Sequence, residues 1–255
     1  MDSNSQPMIA EKPQSYSVET FGNITLINAD CMEVMRELPD NAFDLAIVDP
    51  PYGINAPNMT MGTAPKKTKS GDGISVAQRL KKGRLNSGGG KLKNRALNSM
   101  SLTWDCERPS PEYFVDLFRV SRNQIIWGGN YYDLPPTRGV ICWDKVQPWD
   151  NFSQWEMAWT SFDRTARLFR YSSRGGGNIE KKIHPTQKPI ALYTWLLSTY
   201  AKPGDSIIDT HSGSLSIALA AHDLGFEVTA IEIDPEYYQA ARERLIKHQM
   251  QQKLF

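Results

Sequence analysis

The sequence predicts an α/β fold built on a single doubly wound, mostly parallel sheet. Short apolar runs of strand character alternate with amphipathic helical stretches in two blocks, one over residues 23–48 and 110–127, the other over 184–248. The connections inside the blocks are short, which calls for parallel pairing through right-handed crossovers. A chain of 255 residues, 40% hydrophobic and 10% aromatic, can bury one large core.

In order, residues 23–27 read as a strand, 31–38 as a short helix and 43–48 as a buried strand. Ser110-Pro111-Glu112 is a helix start, with a capping serine and proline in the first turn, and that helix runs to about Val120. Residues 124–127 follow as a strand ending in Gly128-Gly129, and 140–143, 156–160 and 166–169 are further strands joined by turns. The second block supplies a helix over 190–200, a strand over 205–209, a helix over 213–224, a strand over 227–233 and a closing helix from Pro235 to about residue 248. Residues 1–22 are expected to be a flexible tail, 23–248 the folded domain, and 249–255 a short tail.

Asp49-Pro50-Pro51-Tyr52-Gly53 closes the buried strand 43–48. Open α/β sheets bind their ligands at the carboxyl ends of strands. A carboxylate, a stiffened carbonyl and an aromatic ring at such a place suit a flat heterocycle bearing an amino group. The lone pair of that amine is delocalised into its ring. Acceptors aimed at its N–H groups, from Asp49 and the Pro50 carbonyl, would draw the nitrogen toward tetrahedral geometry. Pro50 and Pro51 hold the backbone in place, and Tyr52 can stack on the base. An ordinary strand-to-loop turn is the plainer reading of the same residues.

The net charge of +1 conceals an asymmetry. Residues 55–104 carry Lys66, Lys67, Lys69, Arg79, Lys81, Lys82, Arg84, Lys91, Lys93 and Arg95 against the single acid Asp72, so the segment is +9 and the remainder −8. A polyanion is the natural partner, and Lys66, Lys67, Lys81, Lys82, Arg84, Lys91, Lys93 and Arg95 are the candidate nucleic-acid contacts, a solvated loop with no partner being the plainer reading. Low hydrophobicity makes the segment a mobile insertion that orders on phosphate. Cys31, Cys106 and Cys142 are far apart, which suits reduced cysteines in a cytoplasmic protein and disfavours a metal site. No run reaches the length of a membrane span.

Asp209-Thr210-His211-Ser212-Gly213-Ser214 follows one strand and opens a helix, where a nucleotide-like cofactor approaches backbone closely. Glu232, about twenty residues on, can accept from two ribose hydroxyls. The full Gly-x-Gly-x-x-Gly pattern is absent, which disfavours NAD.

With His184-Pro185-Thr186-Gln187-Lys188-Pro189 and Ile126-Trp127-Gly128-Gly129-Asn130, these motifs resemble the N6-adenine/N4-cytosine DNA amino-methyltransferases. The order resembles the β class, in which the catalytic motif precedes the cofactor motif, and its phage and prophage members in particular. The resemblance covers roughly residues 23–54 and 110–248. It implies S-adenosylmethionine as donor, S-adenosylhomocysteine as product, DNA as partner and sometimes a homodimer. It also implies that Asp30 holds the donor's adenine, Glu232 its ribose, and Asp209, His211, Ser212, Gly213 and Ser214 its methionine part. Asp49, Thr186, Gln187 and Lys188 would complete the donor site, with Lys188 near the donor carboxylate. Asp30 and Glu232 can also be read as helix caps. The expected reaction is transfer to N6 of a flipped adenine, with N4 of cytosine or a catalytically silent binding subunit as alternatives. One departure stands out: Thr210 and His211 replace Pro-Phe, and Leu215 replaces a glycine, where a side chain would crowd the donor.

Overall fold

A computed structural model describes residues 16–55, 105–146, 153–172, 182–184 and 186–251. In chain order the elements are β1 (Ser17–Phe21), β2 (Ile24–Asn28), α1 (Cys31–Glu37), β3 (Phe43–Val48), α2 (Pro111–Val120), β4 (Ser121–Trp127), β5 (Ile141–Asp144), β6 (Trp155–Thr160), β7 (Arg167–Arg170), α3 (Ile190–Tyr200), β8 (Ser206–Asp209), α4 (Ser216–Leu224), β9 (Glu227–Glu232) and α5 (Pro235–Gln249). Among the described residues one sheet runs β1-β2-β9-β8-β3-β4-β6-β5-β7. Its centre, β2-β9-β8-β3-β4, is parallel, as the short crossovers predicted, whereas β1 and β6 pair antiparallel to their neighbours.

The strands alternate faces, and the helices cover both. Leu45, Ile47, Ile125, Ile207 and Ala230 pack with α3, α4 and α5, and Ala46, Val48, Ile126, Ile208 and Ile231 pack with α1 and α2. The helix α2 carries the chain from β3 outward to β4, and α4 carries it from β8 the other way to β9. The winding therefore reverses between the adjacent strands β3 and β8, and a crevice opens outside their carboxyl ends. Asp49 follows β3 and Asp209 ends β8, so the two acids flank that crevice.

Residues 17–21 correct the expectation of a loose tail up to residue 22. They form β1, an edge strand joined to β2 by a tight turn at Gly22, whose φ is +63°. The segment is half exposed and polar, so it lacks a continuous apolar signal. Its anchor comes from a distant part of the chain: Glu19 accepts hydrogen bonds of 2.9 Å from both Tyr238 and Arg242 of α5. The Phe21-Gly22-Asn23-Ile24 turn was the available sequence clue.

Helix α4 starts at residue 216 rather than at 213, because Leu215 is left-handed with φ +62°. That conformation explains why glycine suits this position. The expected crowding of the crevice does not occur, since the Leu215 side chain is fully buried in the core with α3, α4 and α5. Leu215→Gly should relieve about 1 kcal/mol of backbone strain but delete a buried leucine worth about 3 kcal/mol. Its thermal midpoint should fall; an unchanged or higher midpoint would mean that the strain outweighs the packing.

Candidate active site

Five parallel strands aim their carboxyl ends at one edge, and the acids singled out from the sequence sit there. Asp30 follows β2, Glu232 ends the neighbouring β9, Asp209 ends β8 and Asp49 follows β3. Asp30 is the cap of α1, with Oδ1 accepting from the Met32 N–H at 2.8 Å, and the residue is exposed. Glu232 accepts from the Gly213 N–H at 2.7 Å and the Asp234 N–H at 3.0 Å, one on each oxygen. Two backbone donors thus orient Glu232 while each oxygen keeps a lone pair for a hydroxyl.

The turn after β8 is built from backbone. Asp209 accepts from the His211 N–H at 3.1 Å, the Ser212 N–H reaches the Ile231 carbonyl at 2.9 Å, and Gly213 turns at φ +47°. His211 presents its ring edge to Tyr113, with centroids 5.2 Å apart, and its Nδ1 lies 2.9 Å from the Thr210 hydroxyl. Burial lowers its pKa to about 4, so it is a neutral aromatic wall. Ser214 lies 3.1 Å from Ser216, hydroxyl to hydroxyl. Thr186 bonds His184 at 3.1 Å, and the Gln187 side chain accepts from the Ile183 N–H at 2.9 Å, so these two brace their own loop.

Lys188 lies between two carboxylates. Its ammonium, 3% exposed, pairs with Asp49 and, at 3.2 Å, with Glu156 of β6, and Lys145 pairs with the other oxygen of Glu156. The faces of Trp127 and Tyr52 lie 5.2 and 5.9 Å from the Lys188 ammonium. The remaining oxygen of Asp49 accepts from the Tyr52 hydroxyl at 2.6 Å. Glu156 and Lys145 escaped the sequence reading. The only trace was an acid between Trp155 and Met157 in a strand otherwise suited to the core.

Four further residues shape the 49–53 loop. Buried Asp105 accepts from the Tyr52 N–H at 2.6 Å and the Gly53 N–H at 3.1 Å. The Tyr132 hydroxyl lies 2.8 Å from the Pro50 carbonyl and 3.0 Å from that of Pro51, so the carbonyl expected to accept from the base retains one lone pair. Tyr131 stacks on Tyr52 with centroids 4.9 Å apart and planes 14° from parallel, covering one face of the ring expected to receive the base. Gly128, at φ +70°, explains its motif: a Cβ there would lie 2.3 Å from the Tyr52 ring.

The candidate DNA contacts Lys66, Lys67, Lys81, Lys82, Arg84, Lys91, Lys93 and Arg95 lie outside the described residues. Among the described residues no three His, Cys, Asp or Glu group to hold a metal ion, and no helix is long and apolar enough to cross a membrane.

Burial dominates the electrostatics of this edge. It raises Asp209 to about 8, against the His211 N–H, and Glu232 to about 7, against the N–H groups of Asp234 and Gly213. Burial also raises Asp49, with Lys188 pulling the other way. At Glu156 burial is outweighed by Lys188 and Lys145, which bring it down to about 2. Lys188 is disfavoured as a cation by burial but held charged by Asp49 and Glu156.

The family model of the N6/N4 methyltransferases, described as DNA methylase, matches residues 65–243. A Type II methyltransferase of Moraxella bovis, M2.MboI, is 21% identical over 91% of this chain and 93% of its own. M2.DpnII, a Type II methyltransferase of Streptococcus pneumoniae, is 24% identical over 86% and 88%. Among solved structures, the cytosine-N4-specific PvuII DNA methyltransferase superposes with a TM-score of 0.53 at 12% identity, over 92% of this chain and 89% of that one, a likeness of fold.

Between pH 4.5 and about 7 folded Glu232 holds a proton that the unfolded chain has released, so stability should fall as pH rises through that window. Asp209 acts in the same sense, from 3.8 to about 8. In Glu232→Gln the fall in thermal midpoint between pH 5 and pH 8 should be smaller than in the unaltered chain. An undiminished fall would place the titration elsewhere.

Proposed function

The chain belongs to the DNA methylase family, and from that premise we propose that it transfers the sulfonium methyl group of S-adenosylmethionine to the exocyclic N6 of an adenine flipped out of DNA. The observation that carries this reading is the convergence of Asp49 with the acids of the β2, β9 and β8 ends around the switch point between β3 and β8.

The residues fit the donor. Glu232 keeps two acceptor positions for the ribose hydroxyls, exposed Asp30 keeps a second oxygen for an amino group, and Gly213 brings backbone close without a side chain. When bound, the donor supplies a methyl group on a positively charged sulfur, a good leaving group without metal assistance. Asp209, Ser212, Ser214 and the wall of His211 would border the methionine part, with Thr186 and Gln187 bracing the opposite loop. Lys188 serves Asp49 in this reading, because its charge is already matched by two carboxylates.

On the base side, Asp49 accepts from the amino group and Pro50 offers its remaining carbonyl lone pair. The amine thereby regains its lone pair for in-line attack, with proximity and alignment supplying much of the rate. The cationic secondary amine then gives up one proton, for which Asp49 is the nearest base. Flipping exchanges stacking in the duplex for contact with Tyr52, and Tyr131 must yield its place on that ring. An aspartate at the head of the motif favours adenine, since relatives that modify cytosine usually begin it with serine. The basic residues between 55 and 104 would hold phosphates.

Labelled donor and unmethylated DNA should give transfer, and direct detection of modified bases should find N6-methyladenine. Methyl groups on cytosine N4, or on RNA or protein in preference to DNA, would overturn the assignment. Asp49→Ala should lower transfer by at least roughly a hundredfold while leaving donor binding near its original value. Replacing Lys81, Lys82 and Arg84 together with alanine should flatten the log–log salt dependence of DNA binding by about 3; an unchanged slope would remove them from the interface.

A further inference from the structure

Each oxygen of Asp49 already accepts once in the arrangement seen here, and its charge is matched by Lys188, so the base meets a weakened acceptor. Oδ1 accepts from the Tyr52 hydroxyl and Oδ2 from Lys188. Releasing Oδ2 would ordinarily strand a lysine that is 3% exposed, and an unpaired buried cation is strongly disfavoured. The Lys188 ammonium, however, has a second carboxylate at 3.2 Å, Glu156, whose other oxygen is tied to Lys145. Charges thus alternate from Lys145 through Glu156 and Lys188 to Asp49.

We propose that Glu156, fixed by Lys145, is a positioning residue that retains the Lys188 ammonium when Asp49 turns an oxygen from Lys188 to the amino group of the target base. The inference rests on the methyltransferase reading of Asp49. Stability alone does not account for Glu156, since buried ion pairs are often matched or bettered by apolar residues of similar volume. Its place in the sheet accounts for its reach. The register pairs Glu156 with Trp143, and antiparallel β6 starts at the edge where β3 and β4 end, so Glu156 meets the site from the side opposite the donor acids.

Among the described residues, the charged and titratable groups around Asp49 are Lys188 and Tyr52 in contact, Glu156 behind Lys188, and Asp209, Tyr132 and Tyr193 beyond. Removing the negative charge of Glu156 leaves Lys188 to Asp49 alone, and removing the positive charge of Lys145 has the opposite effect. Carbon-13 NMR of aspartate-labelled, donor-free protein, with the Asp49 signal assigned through Asp49→Asn, reads this directly. Glu156→Gln should move the Asp49 titration down by about one pH unit and Lys145→Met should move it up by a smaller amount. Loss of packing alone would give no such opposed pair. In steady-state assays Glu156→Gln should lower kcat roughly tenfold and leave the donor dissociation constant within about twofold, with Glu156→Asp recovering part of the rate. Shifts that are absent or share one direction, or an unchanged kcat in Glu156→Gln, overturn the proposal. Absence of methyl transfer by the unaltered chain would instead overturn the methyltransferase reading, and the NMR titration would still decide whether this network governs Asp49.

Discussion

A carboxylate at the carboxyl end of a buried strand must be matched by charge or hydrogen bonds, and that requirement organises the carboxyl edge of the sheet in this protein. Asp49 follows a strand whose last four residues are almost entirely excluded from solvent. Its pairing with Lys188 draws the loop before α3 onto the end of β3, and the pairing of Lys188 with Glu156 ties that loop to β6. Elements far apart in sequence are thereby held around one side chain. The same pairing weakens Asp49 as an acceptor, since its charge is already matched, and the second carboxylate on Lys188 gives that ammonium another partner.

The donor side obeys a different rule. There the acids are held by backbone N–H groups rather than by cations: Asp30 by the first turn of α1, Glu232 by Gly213 and Asp234, Asp209 by His211. Such bonds orient a carboxylate and leave lone pairs for hydroxyl or amino donors, which suits ribose and adenine. Burial without a paired cation raises Glu232 and Asp209, whereas at Glu156 two lysines outweigh the same burial and bring it down. One sheet edge therefore carries acids of the same type in two electrostatic settings, and neighbours decide between them.

Small residues in the motifs have steric explanations once the loops are placed. Gly128 makes room for Tyr52, and Gly213 turns beneath Glu232. Leu215 shows the converse, a residue that accepts a left-handed backbone and is compensated by complete burial in the core. Its direction could not be read from the motif, because a positive φ reverses where the side chain points.

Alternation of apolar residues, capping at Asp30, and the prolines at 111 and 235 specify the elements and their order, because these are local properties of the chain. The Asp49 motif, the 209–214 turn and Glu232 were legible for the same reason: each sits at the end of a strand recognisable from its own residues. The strand order, and with it the approach of β6 to β3, was not. Neither were the hold of Asp105 and Tyr132 on the 49–53 loop, the anchoring of β1 by α5, or the partners of Lys188. These contacts join residues dozens to more than two hundred positions apart, and only the packing of the sheet decides which of many available acids and hydroxyls a buried lysine or carbonyl will meet. Local residue pattern marks which acids gather at the strand ends, and long-range packing selects the charges that stand against them.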